Sequence, residues 1–282
     1  MNKFFPLLLI LAFACSQPQK QAKHPPYELV KEDGIYAEVF DSTYTDPNRY
    51  TANNEIYTEG RAFVYHFTHQ NAIGEKQSFK DKTDIDDWAK AWQFCEPDDP
   101  DAVKRVIISS KSGLSPFVES IPDYNQTVVK YEYPSNSGTA TFNSMSGVIE
   151  NEKNVWIHPP RDKFFRILEL NPFPFIQVPY EIGNSWEWSL KIGGSWGDER
   201  WKTWEGVIEN SYRYTIKGKV NYPTPLGTIE AFEVYAEAES TLGKTYLTAL
   251  FSLKYGFIDL DYVNIDGSKT HLELVEVREG DM

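Results

Sequence analysis

The sequence predicts a mainly β fold: a curved antiparallel sheet, as a half-barrel or a two-lobed β body, with one amphipathic helix around residues 83–94. Three observations carry that reading. Apolar residues recur at every second place in both halves of the chain, helical periodicity appears once, and short turns bearing Gly or Pro separate the alternating runs. Without long helical segments between them, neighbouring strands pair antiparallel.

Residues 1–14 read as an export signal. Lys3 precedes an eleven-residue apolar run, Phe4 to Ala14, too short to span a bilayer but within the length of a secretory core. Residues 15–26 follow as a polar tether without acidic residues. Leu11-Ala12-Phe13-Ala14-Cys15 resembles the lipobox of bacterial lipoprotein precursors, with Ala12 where leucine is usual. The resemblance implies cleavage before Cys15 by signal peptidase II and acylation of Cys15, palmitate included, so that the membrane is the first expected partner. Several acyl chains, at about 0.8 kcal/mol per buried methylene, anchor stably where one does not. Ser16 in place of Asp resembles the outer-membrane sorting signal, and the expected location is the cell envelope, lipid-anchored at the outer membrane.

Residues 27–178 are expected to form an N-terminal β lobe. Phe63, Tyr65 and Phe67 share one face of a strand, as do Val129, Tyr131 and Tyr133. The single helix is predicted from Thr83 and Asp86 as a short capping box, followed by Ile85, Trp88, Ala89 and Trp92 on one stripe and stopped by Pro97. Cys95 is expected to be buried at its end as a structural thiol, since no base accompanies it. Val155-Trp156-Ile157 and Phe164 to Leu170 read as strands on either side of His158-Pro159-Pro160-Arg161. Three prolines between Asn171 and Pro179 mark either a lobe boundary or an edge strand crossing between sheets.

Residues 179–282 form the C-terminal lobe in this reading. Tyr212, Tyr214 and Ile216 alternate inward, then Phe232, Val234 and Ala236, then Leu247, Ala249, Phe251 and Leu253. Ile258, Leu260 and Tyr262 follow, and Leu272 with Leu274 closes the series. Gly218, Pro225-Leu226-Gly227, Gly243 and Asp266-Gly267 supply the turns. This half is weakly similar to the open half-barrels of bacterial envelope proteins, among them the lipoprotein localisation factors. That resemblance implies a curved sheet closing over a helix around a lipophilic ligand, and it carries no functional residue across.

The chain has 28 Lys and Arg against 41 Asp and Glu, a net charge of −13 that excludes electrostatic capture of nucleic acid. Phosphate loops and dinucleotide fingerprints are absent, and His66 and His69 point to opposite faces of a strand, so no cofactor and no metal is expected. No catalytic residue is assigned either. Gly193 to Gly197 contains the letters of a nucleophile elbow without the strand-to-helix context. Trp186, Trp188, Trp196, Trp201 and Trp204, five of the eight tryptophans, lie close together. They fill a sheet core or floor a binding site, with Trp196 on its glycine turn as the exposed exception and Asp198 and Arg200 as polar contacts. His158 and Arg161, on their rigid proline turn, either face an anionic group or stiffen a corner. The expected function is a non-catalytic binding or structural envelope lipoprotein holding a glycan, a lipophilic ligand or an envelope partner; the alternative is a carbohydrate-active hydrolase.

Overall fold

A computed structural model describes residues 27–82, 86–114 and 125–280. Cys15, the signal and the tether lie outside the described residues. The chain opens with a hairpin of its own, β1 (Tyr27–Glu32) and β2 (Ile35–Phe40), turned by Asp33 and Gly34 at φ of 48° and 102°. Two successive residues in the left-handed region give the turn whose twist matches its flanking strands. The next strands are β3 (Ala62–Gln70), β4 (Lys76–Asp81), β5 (Trp92–Cys95), β6 (Arg105–Ser110), β7 (Thr127–Pro134), β8 (Ala140–Glu150), β9 (Asn154–Ile157) and β10 (Phe175–Gln177). After them come β11 (Ser185–Gly193), β12 (Val207–Thr224), β13 (Gly227–Ser240), β14 (Gly243–Ser252), β15 (Gly256–Val263) and β16 (Lys269–Arg278).

The body is antiparallel and curved nearly into a barrel, as the alternation predicts. Its strands run in the order β10-β9-β8-β7-β6-β3-β16-β15-β14-β13-β12-β11, with β4 and β5 as a flap off β3. Residues 27–178 and 179–282 thus feed one sheet, joined where β3 pairs with β16 from Gln70↔Lys269 to Ala62↔Arg278. The end strands β10 and β11 pair with β9 and β12 but not with each other. This gap is a seam. Rings bridge it instead of a ladder: Phe175 meets Trp186 at 5.7 Å and Phe173 meets Trp188 at 5.4 Å.

The hairpin sits astride the seam. Gln177 on β10 donates its amide to the Gly34 carbonyl at 2.6 Å, while a Cβ on Gly34 would lie 2.4 Å from the Glu187 carbonyl oxygen on β11. Asn154 accepts from the Tyr36 N–H at 2.7 Å, and Asn151 donates to the Tyr36 carbonyl at 2.7 Å. Asparagine and glutamine side chains therefore satisfy backbone groups that no neighbouring strand reaches.

The lumen is aromatic. Tyr57, Phe63, Tyr65, Tyr131, Tyr133, Tyr212, Tyr214 and Tyr262 are fully buried, on the faces that the period-two pattern assigns to those that lie in strands. Leu253 departs from its predicted face and is 60% exposed, because β14 ends at Ser252 after an irregularity at Leu250 and Phe251.

Two elements differ from the sequence reading. Among residues 86–94 there is no helix: residues 88–90 form a turn and β5 pairs with β4, from Ser78↔Cys95 to Asp81↔Trp92, while residues 83–85 lie outside the described residues. The Trp88/Trp92 stripe splits. Trp88 is half exposed, whereas Trp92 packs among Phe79, Phe94, Phe164 and Trp201, a tertiary aromatic contact that outweighs local helical preference. Cys95 ends a strand and is half-buried, its thiol pushed up to about 11 by burial. Phe164 to Leu170, read as a strand, belongs to a 3-10 helix, Lys163–Leu170. This segment crosses the lumen, and helical turns bond its backbone locally. Phe165 packs on Phe67 at 5.0 Å and on Tyr133 at 5.3 Å. Asn210 and Thr245 donate to the Leu170 carbonyl at 3.0 and 2.7 Å, and buried Lys163 pairs with Asp81 at 2.8 Å. The proline-rich stretch yields β10 as a three-residue edge strand.

Glu38, buried on β2, is pushed up to about 7 by desolvation, against a lowering hydrogen bond from Asn53 and with Glu152 and Glu150 adding repulsion. A carboxyl whose folded pKa lies above its unfolded value stabilises while protonated, and that contribution is lost as pH rises from about 4.5 through 7. Glu38→Gln is therefore expected to raise stability at pH 8 by about 1–3 kcal/mol and to change little at pH 4. Urea melts of both proteins at the two pH values check this; equal gains at both would refute it.

Candidate functional site

The tryptophan cluster divides into buried Trp186, Trp188 and Trp201 and half-buried Trp196 and Trp204. On β11, Trp186 stacks on its cross-strand partner Tyr214 at 5.4 Å and Trp188 on Tyr212 at 4.6 Å. The Trp188 indole N–H donates to the Tyr214 hydroxyl at 2.9 Å, which in turn donates to the Phe173 carbonyl at 3.0 Å. Trp201 stacks on Trp92 at 5.9 Å, and the Trp204 indole donates to the Ile192 carbonyl at 3.3 Å. These four serve the core and its margin. Trp196 closes a short 3-10 turn, Gly194–Trp196, and is half-buried. Gly194 is required there, since a Cβ would approach the Trp204 carbonyl oxygen to 2.4 Å.

Asp198 and Arg200 engage each other. Arg200 donates from Nε to Asp198 Oδ1 at 2.7 Å and from its terminal nitrogen to Oδ2 at 2.5 Å. Its guanidinium also lies over Trp92 at 3.5 Å and donates to the Trp92 carbonyl at 2.7 Å. Burial pushes the Asp198 carboxyl up, but hydrogen bonds and charge from Arg200 outweigh it and hold the pKa below the usual aspartate value. The pair clamps the 198–202 turn onto β5.

The proline turn sends His158 and Arg161 in different directions. The His158 imidazole packs against Trp156 at 4.7 Å and Phe173 at 5.1 Å, beside the seam. Desolvation, reinforced by the charge of Arg161, drives its pKa well below 6.5, so it is uncharged at neutral pH. Its carbonyl accepts from the Tyr131 hydroxyl. Arg161 instead reaches Trp196, its guanidinium 4.6 Å from the indole centroid.

Two sequence-derived candidates, Arg161 and Trp196, therefore meet, and a third residue joins them. Arg166, from the 3-10 helix across the lumen, lies 4.6 Å from the same indole and donates to the Ser195 carbonyl. Burial lowers its pKa from the usual arginine value. Glu169, one turn on and almost wholly buried, pairs with Arg161 Nε at 2.9 Å. Desolvation pushes this carboxyl up to about 7, against the lowering charges of Arg161 and Arg166. Arg166 forms no ion pair with a carboxylate among the described residues. The result is two guanidinium groups on one indole, with Glu169 paired to one of them and buried Asp162 and Asp198 close enough to act on Arg166. Sequence reading missed Arg166 and Glu169 because the run Phe164 to Leu170 was assigned to a strand; the visible signal was two charges three residues apart in an otherwise apolar segment.

Trp188→Ala is expected to cost about 3–5 kcal/mol, since it removes a stacked, hydrogen-bonded core ring, whereas Trp196→Ala should cost well under that. Thermal melts of the two variants test the division; equal losses would place Trp196 in the core.

No family model matches the sequence, and no curated protein matches it significantly. Two solved structures are similar in shape. A Bacteroides fragilis protein described as exported, with a YmcC-like fold, aligns at a TM-score of 0.44 and 11% identity over 79% of this chain and 98% of its own. A Parabacteroides distasonis protein described as a lipoprotein aligns at 0.44 and 13% identity over 79% and 97%.

Proposed function

We propose that the chain is the precursor of an envelope lipoprotein, anchored at the outer membrane through acylated Cys15, whose β body is a non-catalytic binding module for an acidic glycan. The apolar run of 4–14 ending in Ala14-Cys15 supports the anchor. The binding role rests on one observation: Arg161 and Arg166 share the Trp196 indole, and of the two only Arg161 is paired with a carboxylate, Glu169, among the described residues, while Asp87, Asp162 and Asp198 act on Arg166 without direct contact. An anionic group placed there gains charge-assisted hydrogen bonds from both guanidiniums, and the indole gives a sugar ring an apolar surface to lie against. Asp198 and Arg200 hold the neighbouring turn in place. Because Glu169, pushed up to about 7, takes up its proton as pH falls through that value, the site becomes more cationic in mild acid, and anion affinity should rise as pH falls from 8 to 6.

Two measurements test this reading. Labelled palmitate should enter the wild-type chain and not Cys15→Ala; label persisting in the mutant removes the anchor. Affinity for polygalacturonate should fall about tenfold in Arg166→Gln, the loss of one charge-assisted contact, with neutral dextran unbound by either protein. Unchanged polygalacturonate affinity in Arg166→Gln would refute the glycan site.

A further inference from the structure

Beneath the hairpin, where it crosses the seam, lies a cavity of about 260 Å³. Trp156, His158, Phe173, Trp188 and Leu190 line its inner side and Ile35 of β2 its outer side. The volume falls just below the roughly 300–1,000 Å³ of drug-sized pockets, so it suits one small ring or branched alkyl group. The cavity is set apart by its charge. Glu32 and Asp33 are the only charged residues lining it, both acidic and both exposed at the mouth, and His158 adds no positive charge because it is held neutral. The mouth shares Asp33, Trp188 and Ser189 with a wider groove of about 640 Å³. That groove is lined by Glu187, Glu209, Glu237 and Glu239 against Lys31 and Arg213; Arg213 pairs with Glu187 at 2.8 Å, and Lys244 pairs with Glu237 and Glu239 at 2.6 and 3.3 Å.

We infer that the seam cavity is a second binding site, for a small organic cation: an amine or quaternary ammonium carrying a compact apolar body. Ile35, Trp156, Phe173, Trp188 and Leu190 offer the body of such a ligand apolar contact, Asn125, Gln126 and Ser189 place neutral polar groups beside it, and the carboxylates at the mouth attract its charge. An anion of the same shape would meet only like charge, and a neutral analogue would gain the walls alone. The site is separate from the Arg161–Trp196–Arg166 cluster and opposite to it in sign.

A charge series of one shape tests the inference on the full chain in detergent: choline, its uncharged carbon isostere dimethylbutanol, and the anion dimethylbutanoate, each followed by titration calorimetry. Choline should bind saturably, dimethylbutanol about tenfold more weakly, and dimethylbutanoate not at all. Asp33→Asn keeps a residue tolerant of the left-handed turn and removes only the charge, so choline should weaken severalfold while dimethylbutanol stays the same. Arg166→Gln should leave choline binding intact, which separates failure here from failure of the glycan site. Equal affinity for choline and its isostere, no saturable binding of either, or loss in Glu237→Gln with none in Asp33→Asn would each overturn the inference.

Discussion

The constraint on which the structure depends is an unclosed ring of strands. A barrel abolishes sheet edges by pairing its first and last strands, and here β10 and β11 do not pair. The prolines around β10 limit that edge to three residues, too few for a ladder with the nine of β11. Stacked and edge-to-face rings from both sides fill the gap, and the β1–β2 hairpin covers it. Aromatic packing and side-chain amides together do what backbone hydrogen bonds do elsewhere in the sheet. The cost is specificity of sequence. Asn154, Gln177 and Gly34 are each tied to one place.

The same economy governs the interior. A lumen bounded by so many strands is too wide for tyrosines alone, and the segment from His158 to Asn171 runs through it as a short helix. Because it is anchored at both ends by strands β9 and β10, this segment determines what reaches the surface. The two prolines turn His158 into the seam and Arg161 away from it. Arg166 and Glu169 follow one face of the 3-10 turns, and so arrive beside the Trp196 loop from a different part of the sheet. The charged cluster is a by-product of how the lumen is filled, which explains why it gathers residues from both halves of the chain.

Much of this was legible in the sequence. Period-two alternation identified the inward faces of β3, β7 and β12 through β16, because a strand with one buried face must alternate. The turns at Asp266-Gly267 and Pro225-Leu226-Gly227 are where their residue types place them. Trp188 as core and Trp196 on a turn could be separated by the glycines alone. What could not be read was anything decided by a distant partner. The stripe of Ile85, Trp88 and Trp92 is a sound helical signal, yet Trp92 is claimed by Phe79 and Trp201, and the chain extends to reach them. Phe164 to Leu170 carries β-compatible residues, and its contacts with Phe67 and Tyr133 across the lumen are not visible locally. The three prolines around β10 mark a boundary or an edge strand, but nothing local shows what lies across that edge, so neither the hairpin's role nor the cavity beneath it could be anticipated.

The pairing of β3 with β16 has a kinetic consequence. These strands are separated by most of the chain, residues 62–70 against 269–278, so the contact that joins the two halves of the sheet has a very high sequence separation. Such contacts must be reached against a large loop-closure entropy and slow folding accordingly. The hairpins of the C-terminal half are local and can form as they appear, but β3 stays unpaired on that side until the last strand is delivered. A chain of this topology cannot complete its sheet until β16 has been made, and β3 keeps an unpaired edge until then.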